Sequence, residues 1–312
     1  MNSAGPTVWF AAASLMVCAA APGILSGRAQ QQPTFRSEIN AVIVDASVRD
    51  RSRRAVTNLR PADFVVIDNG VPQEVDNVSY GKLPIDVTVA LDVSYSVTGV
   101  VLERLRRAVG QLMRELRRED RLKLILFNMH VTRIVDFTTD ADAVDRAIRT
   151  ATAGGATALL DAISTALVSA SAPDRRQLIV FFTDGNDSIS VTAPDTLTMV
   201  AQRTRGTLTL VMPSLINRRP ASSATTGASR QVSLRPLAPV LSAIAAETGG
   251  TVLPVDEGTD LAGAFTRVLD DFRSAYVLYY NPRGVDRGGY HRLEVRVKRE
   301  GATVQARRGY WF

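Results

Sequence analysis

The sequence predicts an α/β fold: a doubly wound, mostly parallel sheet, with an accessory β-sandwich formed by the N- and C-terminal flanks. Three observations carry this. In the middle of the chain short apolar strands alternate with helical patterns, as in a parallel sheet wrapped by helices. The runs Val87-Thr88-Val89-Ala90-Leu91 and Ile179-Val180-Phe181-Phe182 are apolar enough for strands covered on both faces. At both ends the period falls to two and turn residues replace helical spacing. The expected division is a signal peptide at 1–29, an N-terminal β flank at 30–83, a central domain at 84–272 and a C-terminal β flank at 273–312 that pairs with the first.

Val8 through Leu25 form an almost uninterrupted run of apolar and small residues, the core of a signal peptide. Gly27 and Ala29 suit cleavage after Ala29, although no Lys or Arg precedes the run. A retained anchor is the alternative, against which stand Pro22 and Gly23. No other segment approaches the ~20 apolar residues of a spanning helix, so no membrane span is expected after cleavage. The protein is therefore expected to be exported, either periplasmic or secreted. Cys18, the only cysteine, lies inside the run, and the mature chain would have neither disulfides nor thiolate ligands. Removal of 29 of the 312 residues leaves 283, enough for one large domain and a smaller one. Loss of Arg28 lowers the formal net charge from +6 to +5. That balance favours solubility, and nucleic acid is not an expected partner because no lysine-rich tract or aromatic-basic interleaving appears.

After the tether at Gln30 to Pro33, Val42 to Arg49 alternates as a strand. A polar turn at Asp50 to Arg54 leads to a short segment at Arg60-Pro61 and then to Phe64-Val65-Val66-Ile67, followed by Asp68-Asn69-Gly70, a strong hairpin signal. Residues 40–80 read as a small β-sheet that cannot bury both faces alone. Central strands are expected at Asp86 to Leu91, Arg121 to Phe127, Val131 to Phe137, Gln177 to Phe182, Thr207 to Met212 and Thr251 to Val255. The helix after the first is amphipathic, with Leu102, Leu105, Val109, Leu112 and Leu116 on one stripe and Arg104, Arg107, Arg114 and Arg118 on a solvated face. Ser214 to Pro236, rich in Ser, Ala, Thr, Arg and Pro, reads as a long mobile loop at the carboxyl edge of the sheet. The C-terminal flank supplies strands at Ala275 to Tyr280, His291 to Lys298 and from Thr303 to Phe312.

The chemistry gathers at three loops. Asp92-Val93-Ser94-Tyr95-Ser96 ends the first central strand, so one carboxylate and two hydroxyls at alternate positions can converge where the strand opens. Gly154-Gly155-Ala156-Thr157 places Thr157 where a loop enters a helix. Thr183-Asp184-Gly185 delivers a second carboxylate after the fourth strand. All three fall on the carboxyl edge, where open α/β sheets carry ligands.

This set closely resembles the metal-ion-dependent adhesion site of von Willebrand factor type A domains: an Asp-x-Ser-x-Ser loop, a Thr in a second loop and an Asp in a Thr-Asp-Gly turn. The resemblance covers about residues 84 to 272 and implies a VWA/Rossmann-like sheet. The flanks also resemble those of an exported bacterial, particularly acidobacterial, group with such domains, through Ala62-Asp63-Phe64-Val65-Val66, Asp68-Asn69-Gly70-Val71-Pro72-Gln73 and Arg307-Arg308-Gly309-Tyr310.

The residue types suit Mg²⁺, which takes oxygen ligands at ~2.0–2.1 Å and keeps several waters. Ser94, Ser96 and Thr157 offer hydroxyl oxygens; Asp92 and Asp184 bind directly or through waters. Mn²⁺ or Ca²⁺ could substitute. A vacant position on the ion would accept Asp or Glu from a partner protein, so binding rather than catalysis is the expected use. Singly, each of the five residues is an ordinary turn or capping residue; the case rests on the set. Asp187 reads as a loop cap, with support of the metal ligands from behind as the alternative, Asp161 as paired within its helix region, and Asp120 as leading into the next strand. The alternatives are a metal-dependent hydrolase and a structural envelope protein whose β flanks make the contacts. The only histidines are His130, in a tight connection, and His291, in the C-terminal sheet; both are expected at the surface and far along the fold from Ser94.

Overall fold

The computed structural model describes residues 41–97, 99–169, 171–172, 174–213, 237–256 and 260–312. The expected signal peptide at 1–29, the tether and the expected loop from Ser214 to Pro236 lie outside the described residues.

The N-terminal flank begins with β1 (Val42–Arg49), in which Val42, Val44, Ala46 and Val48 are buried and the residues between them half-buried. β2 (Phe64–Asp68) and β3 (Val71–Gln73) are joined through Asn69 and Gly70. Their φ angles of 47° and 85° are those a type I′ hairpin turn requires, which is why Asn and Gly stand there. β4 (Asn77–Tyr80) follows.

The central layer runs β5 (Ile85–Asp92), α1 (Val100–Glu115), β6 (Arg121–Phe127), β7 (Val131–Thr138), α2 (Ala141–Arg149), α3 (Leu159–Val168), β8 (Arg176–Phe182), α4 (Pro194–Arg203), β9 (Thr207–Pro213), α5 (Leu237–Glu247), β10 (Val252–Val255) and α6 (Leu261–Arg273). Its sheet has the order β10-β9-β8-β5-β6-β7. All neighbours are parallel except β7, which runs antiparallel to β6 at one edge. Every residue of β5 and β8 is buried. Val87, Val89 and Leu91 face the core shared with α1, α2 and α6. Ala90, Ile179 and Phe181 face α3, α4 and α5. The uninterrupted apolar runs follow from this two-sided cover. Leu102, Leu105, Val109 and Leu112 are the buried stripe of α1, with Leu116 partly buried just beyond it.

The C-terminal flank is β11 (Tyr276–Tyr280), β12 (Tyr290–Val297), β13 (Thr303–Ala306) and β14 (Gly309–Trp311). It joins the N-terminal flank in two antiparallel sheets, β13-β1-β11-β4 and β14-β12-β2-β3. Residues 40–80 are thus divided between two sheets instead of forming one, because β1 and β4 pair with β11 while β2, carrying β3 at the sheet edge, pairs with β12. Val44, Phe64, Val66, Tyr276, Leu278 and Leu293 share the core between the sheets. Arg176, at the start of β8, reaches Asp45 of β1 at 2.7 Å, so the sandwich packs against the amino edge of the central sheet.

One expectation fails in the sandwich. His291 is buried, not at the surface, because it alternates inward with Leu293 along β12. Its Nδ1 lies 2.8 Å from Asp68 Oδ1, and Asp68 also accepts from the hydroxyls of Tyr280 and Tyr310 at 2.9 and 2.8 Å.

Candidate functional site

The chain leaves β5 toward β6 on one side and later returns to place β8 on the other. The carboxyl ends of β5 and β8 therefore lie side by side at the point where the winding reverses, with Leu91 in register with Phe182. Such a switch point opens a crevice outside the strand ends, and Asp92 and Asp184 are the acids that follow.

Asp92, the last residue of β5, is fully buried. Its Oδ1 accepts the backbone N–H of Ser94 at 2.9 Å, which turns the chain so that Ser94 Oγ and Ser96 Oγ stand 3.1 Å apart. Its Oδ2 accepts from Thr183 Oγ1 at 3.2 Å. Burial pushes the Asp92 carboxyl above its usual range. Hydrogen bonds from Ser94 pull it down, the Asp184 charge adds to the rise, and the balance is upward.

Asp184 is half-buried, its two oxygens accepting from the backbone and side-chain nitrogens of Asn186 at 3.0 and 2.9 Å. Gly185 turns the chain beside it with φ of 79°, and a Cβ there would collide with the Met212 side chain. Thr157 is buried and held by its backbone: its N–H donates to Ser188 Oγ at 2.9 Å, and its carbonyl accepts from the Ser188 and Ile189 N–H groups at 2.9 and 3.2 Å. Gly154 N–H donates to the Val93 carbonyl at 2.7 Å, and Tyr95 N–H to the Gly155 carbonyl at 3.1 Å. The loop of Thr157 is thereby stitched both to the loop of Ser94 and Ser96 and to the loop that follows Asp184.

Several positioning residues escaped the sequence reading. Thr183, within the Thr-Asp-Gly signature, bridges Asp92 and the Gly185 N–H. Asn128 donates from Nδ2 to the Gly154 carbonyl at 2.8 Å, and its own carbonyl accepts from Ala158 N–H. Asp187 is the cap expected of it: its Oδ1 accepts the N–H groups of Leu159 and Leu160 at the start of α3. Asp161 departs from expectation. It accepts not within its helix but from the Val191 and Thr192 N–H groups at 3.1 and 2.8 Å, because the loop after β8 folds across the head of α3. His130 is exposed, as expected, but is not far from the site, since its N–H donates to Asn128 Oδ1 at 3.0 Å and Asn128 in turn holds the Thr157 loop. Its turn belongs to the same edge as Ser94, because β6 and β5 are parallel neighbours.

Among the described residues no group of three or more His, Cys, Asp or Glu side chains could hold a metal ion. A cation at this edge would rest on the carboxylates of Asp92 and Asp184 and the hydroxyls of Ser94, Ser96 and Thr157. These residues fit such a group: a buried carboxylate opposed by a second acid is an unfavourable arrangement for the bare chain and a favourable one around a divalent cation.

Residues 87–186 match the family model of the von Willebrand factor type A domain. No curated protein matches the chain in sequence. Among solved structures the chain is similar to an aerotolerance-related membrane protein from Bacteroides fragilis carrying multiple mutations to serines, with 18% identity over 60% of this chain and 98% of that one and a TM-score of 0.46. It is similar to the conserved hypothetical protein BatB from Bacteroides thetaiotaomicron, with 19% identity over 60% and 98% of the two chains and a TM-score of 0.47. A von Willebrand factor type A protein from Catenulispora acidiphila aligns over 88% of this chain and 75% of that one, with 13% identity and a TM-score of 0.49.

Proposed function

The chain carries a von Willebrand factor type A domain in its central layer, matched over residues 87–186, and we propose that it is an exported, metal-dependent protein-binding module. Domains of this family are commonly protein-interaction modules and typically bind or adhere rather than catalyse. In this reading Asp92, Ser94, Ser96, Thr157 and Asp184 hold Mg²⁺, with Mn²⁺ and Ca²⁺ as alternatives. The bound cation supplies an electrophilic position. The chain's own residues fix the hydroxyls, orient the carboxylates and leave room for an Asp or Glu of a partner protein.

The observation that supports this best is the buried Asp92 carboxylate, tied to Ser94 and Thr183 and facing the charge of Asp184. A folded chain that sets two acids against each other loses stability unless something positive joins them. Export is supported by the apolar run from Val8 to Leu25, and no helix among the described residues is long and apolar enough to cross a membrane. The mild formal net charge of +6 supports a protein partner over a nucleic acid.

Calorimetric titration of Mg²⁺ into the wild-type chain and into Asp92→Ala and Thr157→Ala variants tests the reading. The expected result is one-to-one uptake by the wild type and loss of uptake in both variants, with circular dichroism confirming that each remains folded. Equal uptake by all three would defeat it.

A further inference from the structure

The edge that carries the candidate cation site also displays apolar side chains for which folding offers no reason. Five of the nine exposed large hydrophobic residues among the described residues, Tyr95, Val100, Met129, Ile189 and Val191, lie on the loops and helix start at this edge, so the exposure is concentrated, not scattered. Tyr95 is 76% exposed and Val191 93%. Exposed apolar area is unrewarded at about 25 cal/mol per Å² until something covers it.

The loops that bear these side chains are pinned. The Tyr95 N–H is tied to Gly155, Asn128 joins the Met129 turn to Gly154 and Ala158, and Ile189 N–H is bonded to the Thr157 carbonyl. Val191 N–H is held by Asp161, and Ser190 Oγ both donates to Asp187 and accepts from the Asp161 N–H. The apolar side chains cannot fold inward without breaking this lacing, so the surface is formed before any partner arrives. A preformed surface binds with less ordering cost.

Charge narrows the partner. Residues 93–97, 128–130, 150–158 and 183–193 contain no Lys or Arg, while Asp184 and Asp187 are acids. Such loops offer nothing to a phosphate or an anionic membrane surface, and without a cation they repel a carboxylate.

We infer that the partner segment is a polypeptide in which one Asp or Glu is directly flanked by aliphatic or aromatic residues. The carboxylate goes to the cation, and the apolar neighbours cover Tyr95, Met129, Ile189 and Val191. This rests on the metal-dependent reading above, and the two are separable by experiment.

A displayed library of random peptides is selected against the full chain in Mg²⁺ and eluted with chelator. The same selection is run against a Met129→Ser/Val191→Ser double variant, and Mg²⁺ uptake by both proteins is measured by calorimetry. The expected result is enrichment of acidic residues with apolar neighbours on the wild type. On the double variant the neighbour preference disappears, selected peptides bind roughly tenfold more weakly, and Mg²⁺ uptake is unchanged. Mg²⁺ uptake with acidic peptides that show no apolar neighbours, or the same neighbour preference on both proteins, overturns the inference and leaves the cation site standing. Absence of Mg²⁺ uptake by the wild type overturns both. Sedimentation with phosphatidylcholine vesicles that the double variant loses would assign the surface to lipid and overturn the polypeptide assignment.

Discussion

Thr183 Oγ1 donates to Asp92 Oδ2 at 3.2 Å, joining the residue just past the end of β8 to the last residue of β5. This bond spans the reversal point of the sheet and orients the carboxylate on which the candidate site depends. A Thr183→Val variant keeps the volume and removes the donor. It is expected to lose about 1–2 kcal/mol of stability, since a buried carboxylate oxygen is left without its partner, and to bind Mg²⁺ more weakly than Thr183→Ser, which retains the hydroxyl. Urea midpoints and calorimetry on the two variants check this, and equal Mg²⁺ affinities would exclude an orienting role.

An Asp92→Asn variant should separate stability from binding. The amide keeps the shape but removes a charge that burial disfavours and that Asp184 opposes. In chelator the variant is expected to be more stable than the wild type by about 1 kcal/mol. The wild type should gain about 2.7 kcal/mol when Mg²⁺ is present at a hundredfold excess over Kd, whereas the variant should gain nothing. Thermal melts with and without Mg²⁺ decide it, and a variant that is still stabilised by Mg²⁺ would remove Asp92 from the ligand set.

How much of this was legible beforehand depends on the range of the cause. The central strands were readable because two-sided burial makes the middles of β5 and β8 predominantly apolar, and the Asn69-Gly70 turn because its positive φ angles restrict the residue types. The division of residues 40–80 between two sheets was not readable, since it follows from pairing with β11 and β12 more than two hundred residues later. The same distance hid the burial of His291, whose partner Asp68 lies 223 positions away. At the candidate site Asp92, Ser94, Ser96, Thr157 and Asp184 were named from local spacing. Thr183 meets Asp92 through the register of β5 and β8, whereas Asn128 and Asp161 act through loops that meet only once the sheet and α3 are assembled.

The amino edge of the sheet should dominate the acid limb of stability. Asp86 is fully buried and accepts from Arg121 at 2.9 and 2.7 Å, from Arg175 at 2.6 Å and from Ser171 at 2.6 Å. Burial by itself raises the carboxyl, but the hydrogen bonds from Arg121, Ser171 and Arg175 and the Arg175 charge outweigh it and hold Asp86 below the usual range. A depressed folded value contributes stability above the unfolded carboxyl range, about 3.9, and that stability is lost as pH falls through the folded value. Asp86→Asn is expected to cost about 3 kcal/mol near neutrality, because it removes the buried charge that the half-buried Arg121 and Arg175 guanidinium groups converge on, and to flatten the acid limb. Urea midpoints measured across the acid range test this, and an unchanged slope would show that other carboxyls carry the limb.

Asp68 ties the two ends of the chain together, since it sits on β2 while Tyr280, His291 and Tyr310 come from β11, β12 and β14. Burial pushes both the Tyr280 and Tyr310 phenols above their usual range, so each stays a hydrogen-bond donor throughout the stable range. Asp68→Ala strands two hydroxyls and an imidazole nitrogen inside the sandwich and is expected to cost about 3 kcal/mol or more, whereas Tyr310→Phe removes one donor and should cost about 1 kcal/mol. Trp311, on β14 with Arg203 over its ring at 3.8 Å, reports the loosening as a red-shifted emission in a Trp9→Phe background. The sandwich packs at the amino edge through Asp45 and Arg176, whereas the cation loops lie at the carboxyl edge. Mg²⁺ affinity should therefore survive Asp68→Ala under conditions where the protein remains folded, and a parallel loss of both would mean that the sandwich and the loops unfold as one unit.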